Sequence, residues 1–569
     1  MRSDSRRARF PRRGAVAAAL ALVLLGLTKQ ELDQIPTEAE LIAGAHGLPT
    51  FNEDLFAGSG RCTLCHETNG DALLDDHGND VSPTSNWSST MMANAFRDPL
   101  FQAKIETEIA RHPQLQAVIE DECLTCHAPM ARTEALYDGA EMYSLAEARE
   151  SNLAQDGVSC TLCHQIQPAN LGTLASFSGH YEIHDTRDIF GPYDDVDPTT
   201  MQQAVNYTPQ FGEHMLGSTL CATCHTLFTP FIDDEGMVGG EFPEQVPYFE
   251  WLNSVYASGP EAQSCQECHM PILDEAIQIS TRPSDVPERS PFFQHHFVGG
   301  NAFMVRLIRD NAEDLGARAQ FNDFTKTIER TVIQLQTQTA SVEFVEVIET
   351  DPIEAIVEVS NHSGHKFPTG YPARRAWLRV RAIDALDEVI FDSGAWTASG
   401  EVVGIDAEYE PHHDVISAPG EVQIYEMVAG DVNGEPTLTL LRMAQALKDN
   451  RLPPRGYTSS GPSTEVTAIA GLASSDPNFN IAGATEGSGT DRVTYMIPFG
   501  GAPTPIRLEA YLVYQSVPPR FAADLFTEDL PAVQTFRAMY EAADNTPIPV
   551  AVALWPPPAP IAVTGLILE

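Results

Sequence analysis

Cys62-Thr-Leu-Cys65-His66, Cys123-Leu-Thr-Cys126-His127, Cys160-Thr-Leu-Cys163-His164, Cys221-Ala-Thr-Cys224-His225 and Cys265-Gln-Glu-Cys268-His269 repeat one pattern, C-x-x-C-H. Together they use all 10 cysteines of the chain. The pattern is the attachment signature of heme c. Two thiols add to the two heme vinyl groups, the two-residue gap sets their separation, and the adjoining histidine reaches the iron. Zinc ribbons also pair cysteines, but they place no demand on the next residue. Here histidine follows all five times. Thioredoxin-like pairs occur singly beside a βαβ pattern that is not visible in this sequence. The expectation is five covalently attached hemes c. Their anchors are Cys62, Cys65, Cys123, Cys126, Cys160, Cys163, Cys221, Cys224, Cys265 and Cys268, and their proximal iron ligands His66, His127, His164, His225 and His269. No cysteine remains for a disulfide.

Outward from the motifs, the first cysteines are spaced by 61, 37, 61 and 44 residues. The recurrence of 61 hints at a duplicated unit without deciding it. The motif region should be short helices and loops wrapped on cofactors. Helical pieces are expected near Arg97–Glu120 and Ser144–Gln155. Another is expected near 318–338, where Phe321, Phe324, Ile328, Val332 and Leu335 recur at i, i+3, i+4. From about residue 340 the texture becomes that of half-buried antiparallel strands. Val342-Glu-Phe-Val-Glu-Val-Ile, Glu354-Ala-Ile-Val-Glu-Val, Trp377-Leu-Arg-Val-Arg-Ala and Arg507-Leu-Glu-Ala-Tyr-Leu-Val-Tyr are short alternating or β-branched runs. Residues 455–490 read as a long loop, 529–543 as a short helix, and Ile561 to Leu568 as an apolar strand after a polyproline stretch. The expected fold class is α+β. An N-terminal, mostly α/loop multiheme part (29–339) precedes a β-sandwich-like part without cofactor (340–569).

The chain has 569 residues and a formal net charge of −45, from 79 acids against 34 bases. Nucleic acid and anionic membrane surfaces are therefore excluded as partners, because both are polyanions. The acidity serves solubility or, alternatively, a docking surface for a basic redox partner. Arg2, Arg6, Arg7, Arg9, Arg12 and Arg13 precede an apolar run from Gly14 to Leu27. The run is shorter than the roughly 17–25 residues a spanning helix needs. Residues 1–28 read as a signal peptide or N-terminal anchor, which places the chain in the periplasm or outside the cell. Membrane attachment is expected only if that segment stays uncleaved.

Each iron has a second axial position, and twelve of the 17 histidines lie outside the motifs. His180 and His184, four apart, would share a helix face. His214 lies seven residues before Cys221. His295 and His296 open His-His-Phe-Val-Gly-Gly-Asn, and His296 is taken as the ligand. His362 and His365 flank a turn in which Pro368, Gly370 and Pro372 fix the chain, and His365 is expected to reach an iron across the domain boundary. His46, His77, His112, His412 and His413 are weaker candidates. Met91 and Met92 offer a thioether, which raises a heme potential.

The chain resembles the multiheme c-type cytochromes of bacterial periplasms and surfaces, in their tetraheme-like branch. Those relatives carry W-x-x-S-M-H-A-N-A-x-x-D-P after the first motif, with an iron-ligating histidine. In the run from Trp87 to Pro99, Met92 stands at that position, and the resemblance implies Met92 as a distal ligand. The likeness extends to Gly157-Val-Ser-Cys160, Tyr-Phe-Glu-Trp at 248–251, Cys-His-Met-Pro at 268–271, and His-Phe-x-Gly-Gly at 296–300. It continues through His-Lys-Phe-Pro-Thr-Gly-Tyr-Pro at 365–372 and Lys-Asp-Asn-Arg-Leu-Pro-Pro at 448–454. It implies electron-carrying, bis-ligated hemes at most sites. The leading expectation is electron transfer, the hemes forming a wire between redox partner proteins, and a carrier more than a catalyst. One alternative is a reductase or oxidase of a small nitrogen or sulfur compound at one open heme. The other is a subunit of an extracellular cytochrome assembly, or a homo-oligomer. All five motifs end in histidine, so the lysine-substituted motif of nitrite reductase relatives is absent.

Overall fold

The computed structural model describes residues 34–557 apart from 69, 71, 406–408 and 501–504. The expected signal peptide or anchor (1–28) and the strand expected from Ile561 lie outside the described residues. The fold is α+β, as the sequence predicts.

Each C-x-x-C-H pattern sits on or at the end of a short helix: Gly60–His66, Gln116–His127, Cys160–Cys163, Ser218–Ala222 and Cys265–His269. Cysteines at i and i+3 share a helix face, so both thiols point toward one cofactor edge. The helix Pro99–Arg111 begins with Pro99 at its first position and Asp98 capping Leu100 N–H. The helix expected to run on to Glu120 stops at His112, because the residue before Pro113 is disfavoured in α geometry. A 3-10 turn, Pro113–Leu115, then leads into Gln116–His127. Ser144 and Glu147 form a capping box, but that helix spans only Leu145–Glu150. Phe321–Gln334 is helical and passes through one π turn, Leu335–Thr339, into the first sandwich strand.

Ten strands build the sandwich: β1 Ala340–Ile348, β2 Ile353–Asn361, β3 Arg375–Asp384, β4 Val389–Ser393, β5 Val415–Ile416, β6 Ile424–Gly430, β7 Gln445–Asp449, β8 Thr490–Ile497, β9 Pro505–Gln515 and β10 Ile548–Trp555. One sheet has the order β5-β8-β2-β1. The other runs β7-β6-β3-β9-β10, with β4 on β3. In β2 alternate residues from Ile353 to Asn361 are buried, and Ala355, Val357 and Val359 meet Leu378, Val380, Leu508, Ala510 and Leu512 of the opposite sheet. β9 is central, so Val513 is buried on the other face too, against Trp377. The two parts of the chain share a further core, in which Ala103, Phe303 and Met304 pack on Val517, Phe521 and Phe536. The stretch after Arg455 is laid onto the motif part. Val255 N–H donates to Arg455 O at 2.9 Å, and Asn253 Nδ2 donates to Thr458 O at 2.9 Å. Among the described residues no helix is long and apolar enough to cross a membrane.

Candidate functional site

Four of the five motif histidines are held in the same way. The Nδ1 of His66 faces Ile279 O at 3.1 Å, that of His127 faces Ala95 O at 3.0 Å, and that of His164 faces Phe190 O at 2.6 Å. His269 Nδ1 faces Val298 O. A ring nitrogen against a carbonyl must carry the proton, so Nε2 is left bare as the ligating atom. Each carbonyl comes from a distant segment, so only the folded chain sets these rings. Burial is the first cause that pushes all five histidines below their ordinary pKa, His225 to about 4, where His269 and Arg374 add to it. At neutral pH they are the uncharged, ligand-competent form. Phe101 lies flat on His127, with ring centres 3.8 Å apart and planes 5° apart, which fixes that imidazole's rotation.

Two motif histidines face a second imidazole. His365 stands 6.2 Å from His269, centre to centre, with planes 9° apart. His295 stands 6.2 Å from His164, with planes 22° apart. Two imidazoles bonded through nitrogen at ~2 Å to one metal ion place their centres about 6 Å apart. The spacing is too wide for direct stacking and right for an iron between the rings. His365 Nδ1 donates to Lys366 O at 2.9 Å, which again leaves Nε2 bare. The donor set therefore fits heme: paired thiols, a bare proximal Nε2, and at two motifs an opposed imidazole.

Residues 61–165, which hold the first three motifs, match the family model described as cytochrome c554 and c-prime. Over those residues the chain is similar to multiheme c-type cytochromes. No curated protein matches the chain. Among solved structures it is similar to a penta-heme cytochrome c552 from Thermochromatium tepidum, at 17% identity and a TM-score of 0.44, over 82% of this chain and 94% of that one. None of the chain's ten cysteines is in a disulfide.

The other ligand candidates fall differently. His295, not the expected His296, is the ring opposed to His164. His296 lies beside it, 9% exposed, with Nε2 lacking a partner. Burial first, then Arg330, pushes His296 to about 3. The helix expected to carry His180 and His184 on one face is absent, since residues 180–184 form no regular element. His184 points to solvent, with 54% of its side chain exposed near Glu182. His180 donates from Nδ1 to Phe177 O at 2.7 Å and keeps Nε2 free. It follows Gly179, whose φ is +79° and where an added Cβ would lie 3.2 Å from Cys126 Sγ. His214 points Nε2 at Ile166 O at 2.9 Å, so only its Nδ1 is left to bind a metal. Its ring sits 4.9 Å from Phe190, the residue whose carbonyl holds His164. Met92 is half-buried, and its carbonyl accepts from Val158 N–H at 3.0 Å. Gly157 is required there: its φ is +63°, and a Cβ would lie 2.6 Å from Ala93 O.

Three segments that the sequence marks without explaining meet in one buried ionic network. Glu250 is in the helix Pro247–Leu252, Lys366 follows His365, and Asp449 and Arg451 lie at the end of β7 and just beyond it. Glu250 and Lys366 are each 0% exposed. Arg451 pairs with Glu250 at 3.0 Å and with Asp449 at 2.8 Å, and Lys366 Nζ donates to Asp449 at 2.7 Å. Glu250 Oε2 also accepts from Lys366 N–H at 3.1 Å and Thr369 Oγ1 at 2.5 Å. Two anions and two cations cancel, so the cluster can be buried without stray charge. It fastens the loop that carries His365 to the motif part.

One donor cluster lies elsewhere. His412, Asp476 and Asp491 are all buried, with ligand atoms within 4.8 Å of one another. Gln423 Oε1 accepts from His413 N–H and Asn450 Oδ1 from Glu426 N–H, so both amides turn their nitrogens to His412 Nδ1, at 2.8 and 3.1 Å. His412 Nδ1 must then be unprotonated, and Nε2–H donates to Asp476 at 2.8 Å. That hydrogen bonding commits the imidazole and leaves no nitrogen for a metal.

Proposed function

We propose that this chain is an exported cytochrome that carries five hemes c and passes electrons between redox partner proteins in the periplasm or outside the cell. The observation that carries this reading is the pair of opposed imidazoles at His269/His365 and His164/His295. An iron closed on both sides by protein can exchange electrons but cannot bind a substrate. Heme, when bound, supplies an iron that alternates between ferric and ferrous states. Attachment points of neighbouring motifs lie close enough to influence one another's thiols. The Cys62 thiol is pushed up first by its neighbour Cys160, Cys224 first by Cys126, and Cys221 first by Cys265, while Cys163 lies near both Cys221 and Cys224. The attachment points thus run from the first motif to the third, fourth and fifth, with the second joined at the fourth. His66, His127 and His225 serve as proximal ligands, and Met92, His180 and His214 stand as distal donors for the three remaining irons. The net charge of −45 suits a basic partner protein.

The mass spectrum of the mature protein tests this directly. It should equal the processed chain plus five hemes, with no disulfide. A smaller heme count would sink the reading.

A second reading keeps one iron open for chemistry. Beside the second motif, Tyr371 is half-buried, with a buried hydroxyl that lacks a partner among the described residues, and burial followed by Glu244 and Glu108 raises its pKa. Such a polar enclosure would suit a small substrate. Carbon monoxide added to the reduced protein separates the two readings, because only an open ferrous heme changes its spectrum.

Met92 as an axial donor predicts one His/Met heme at the highest potential, since a thioether favours ferrous iron. Met92→Ala should abolish a near-infrared sulfur-to-iron band and the top step of the redox titration. An unchanged titration refutes the assignment.

A further inference from the structure

His365 does not stand alone against the fifth motif. Its Nδ1–H is donated to Lys366 O at 2.9 Å, and the N–H of Lys366 is donated to Glu250 Oε2 at 3.1 Å. The same Glu250 oxygen accepts from Thr369 Oγ1 at 2.5 Å, and the other oxygen lies 3.0 Å from Arg451 Nη1. Glu250 is 0% exposed, so water does not screen its charge. A carboxylate next to the loop that accepts the imidazole proton makes that imidazole a stronger donor. Hydrogen bonds of this kind on an axial histidine tune the metal it binds. Arg451 opposes the effect by drawing the carboxylate's charge, and it is itself shared with Asp449 at 2.8 Å. Arg374, which donates to Thr369 O at 2.8 Å, and Lys366, paired with Asp449 at 2.7 Å, are further cations on this side.

We propose that Glu250 is a positioning residue that both seats His365 and sets the potential of the iron at the fifth motif, with Arg451 as its counterweight. This rests on the reading of His365 as the second axial ligand of that iron. The physical consequence has a sign. A negative charge close to the axial imidazole favours ferric iron and lowers the potential, and a positive charge does the reverse. Removing Glu250's charge should therefore raise one heme's potential, and removing Arg451's charge should lower that same potential. A purely structural role would loosen His365 in both variants and move both in one direction.

The experiment is a spectroscopic redox titration of the full holoprotein as wild type, Glu250→Gln, Glu250→Asp and Arg451→Met, with His365→Ala in parallel. The expected result is an upward shift of one step in E250Q, a downward shift of the same step in R451M, and a return toward wild type in E250D. Shifts of equal sign in E250Q and R451M, or no shift in either, overturn the proposal. Should E250Q lose its low-spin signature, Thr369→Val removes one hydrogen bond from the carboxylate without touching the charge count. T369V should then lower the same step, and an unmoved step overturns the proposal. If His365→Ala leaves every heme low-spin, the ligand reading fails instead. If it yields one high-spin heme while the Glu250 and Arg451 variants shift nothing, only the tuning role fails.

Discussion

Arg451→Met will lower the stability of the folded chain by about 3–5 kcal/mol, the range for a buried ion pair that loses one partner. Glu250 is fully buried, and Arg451 is the cation that pairs with it, at 3.0 Å. Without it, Glu250 keeps only the Lys366 amide and the Thr369 hydroxyl, which are dipoles and cannot cancel a full charge. Asp449 suffers less, because Lys366 Nζ remains at 2.7 Å. The loss should appear as a lower guanidinium midpoint by far-ultraviolet circular dichroism, with the slope unchanged. The double variant E250Q/R451M removes one anion and one cation, leaves Lys366 paired with Asp449, and should recover most of the loss. A double variant as unstable as R451M would show that charge imbalance is not the cause.

The same network has a pH signature. Burial works to raise the Asp449 carboxyl, but Arg451 and Lys366 outweigh it and hold it below its ordinary value. A carboxyl depressed in the folded state contributes stability that is complete above its unfolded pKa of about 4 and lost as pH falls through the folded value. The network is therefore expected to hold His365 in place throughout the neutral range and to loosen only in acid.

His365→Ala and His295→Ala will each turn one low-spin heme into a high-spin, carbon monoxide-binding one. Each removes an imidazole whose ring centre lies 6.2 Å from a motif histidine, and alanine has no donor to replace it. The proximal bonds of His269 and His164 to Val298 O and Phe190 O are untouched, so attachment and heme count should stay as in the wild type. The double variant should bind twice the carbon monoxide of either single one, because the sites belong to different motifs and have no shared partner. His296→Ala serves as the control against His295→Ala. Equal effects from the two would mean that the ring placed against His164 has been misassigned.

The sequence by itself determined the attachment motif. C-x-x-C-H is local: its cysteines and histidine lie within one helical turn, so their cooperation needs no tertiary information. The strands were legible for a similar reason. Burial with a period of two is written directly into Ile353–Asn361, and the sandwich follows from two such faces. Helix lengths were read less well, as at His112, where one proline outweighed a continuous apolar pattern.

The distal side was decided only by tertiary structure. His295 and His296 are adjacent and chemically identical, and nothing local says which one turns toward His164. The choice depends on where the chain emerges after Phe292–Phe293, and the positive φ of Phe297 belongs to that path. The four-residue spacing of His180 and His184 suggested a shared face, yet no helix forms there to give the spacing meaning. His365 could be suspected from its fixed turn. Its place opposite His269, 96 residues earlier in the chain, is secured by Glu250, Asp449 and Arg451, and a charge cluster assembled from such distant segments exists only once the chain has folded.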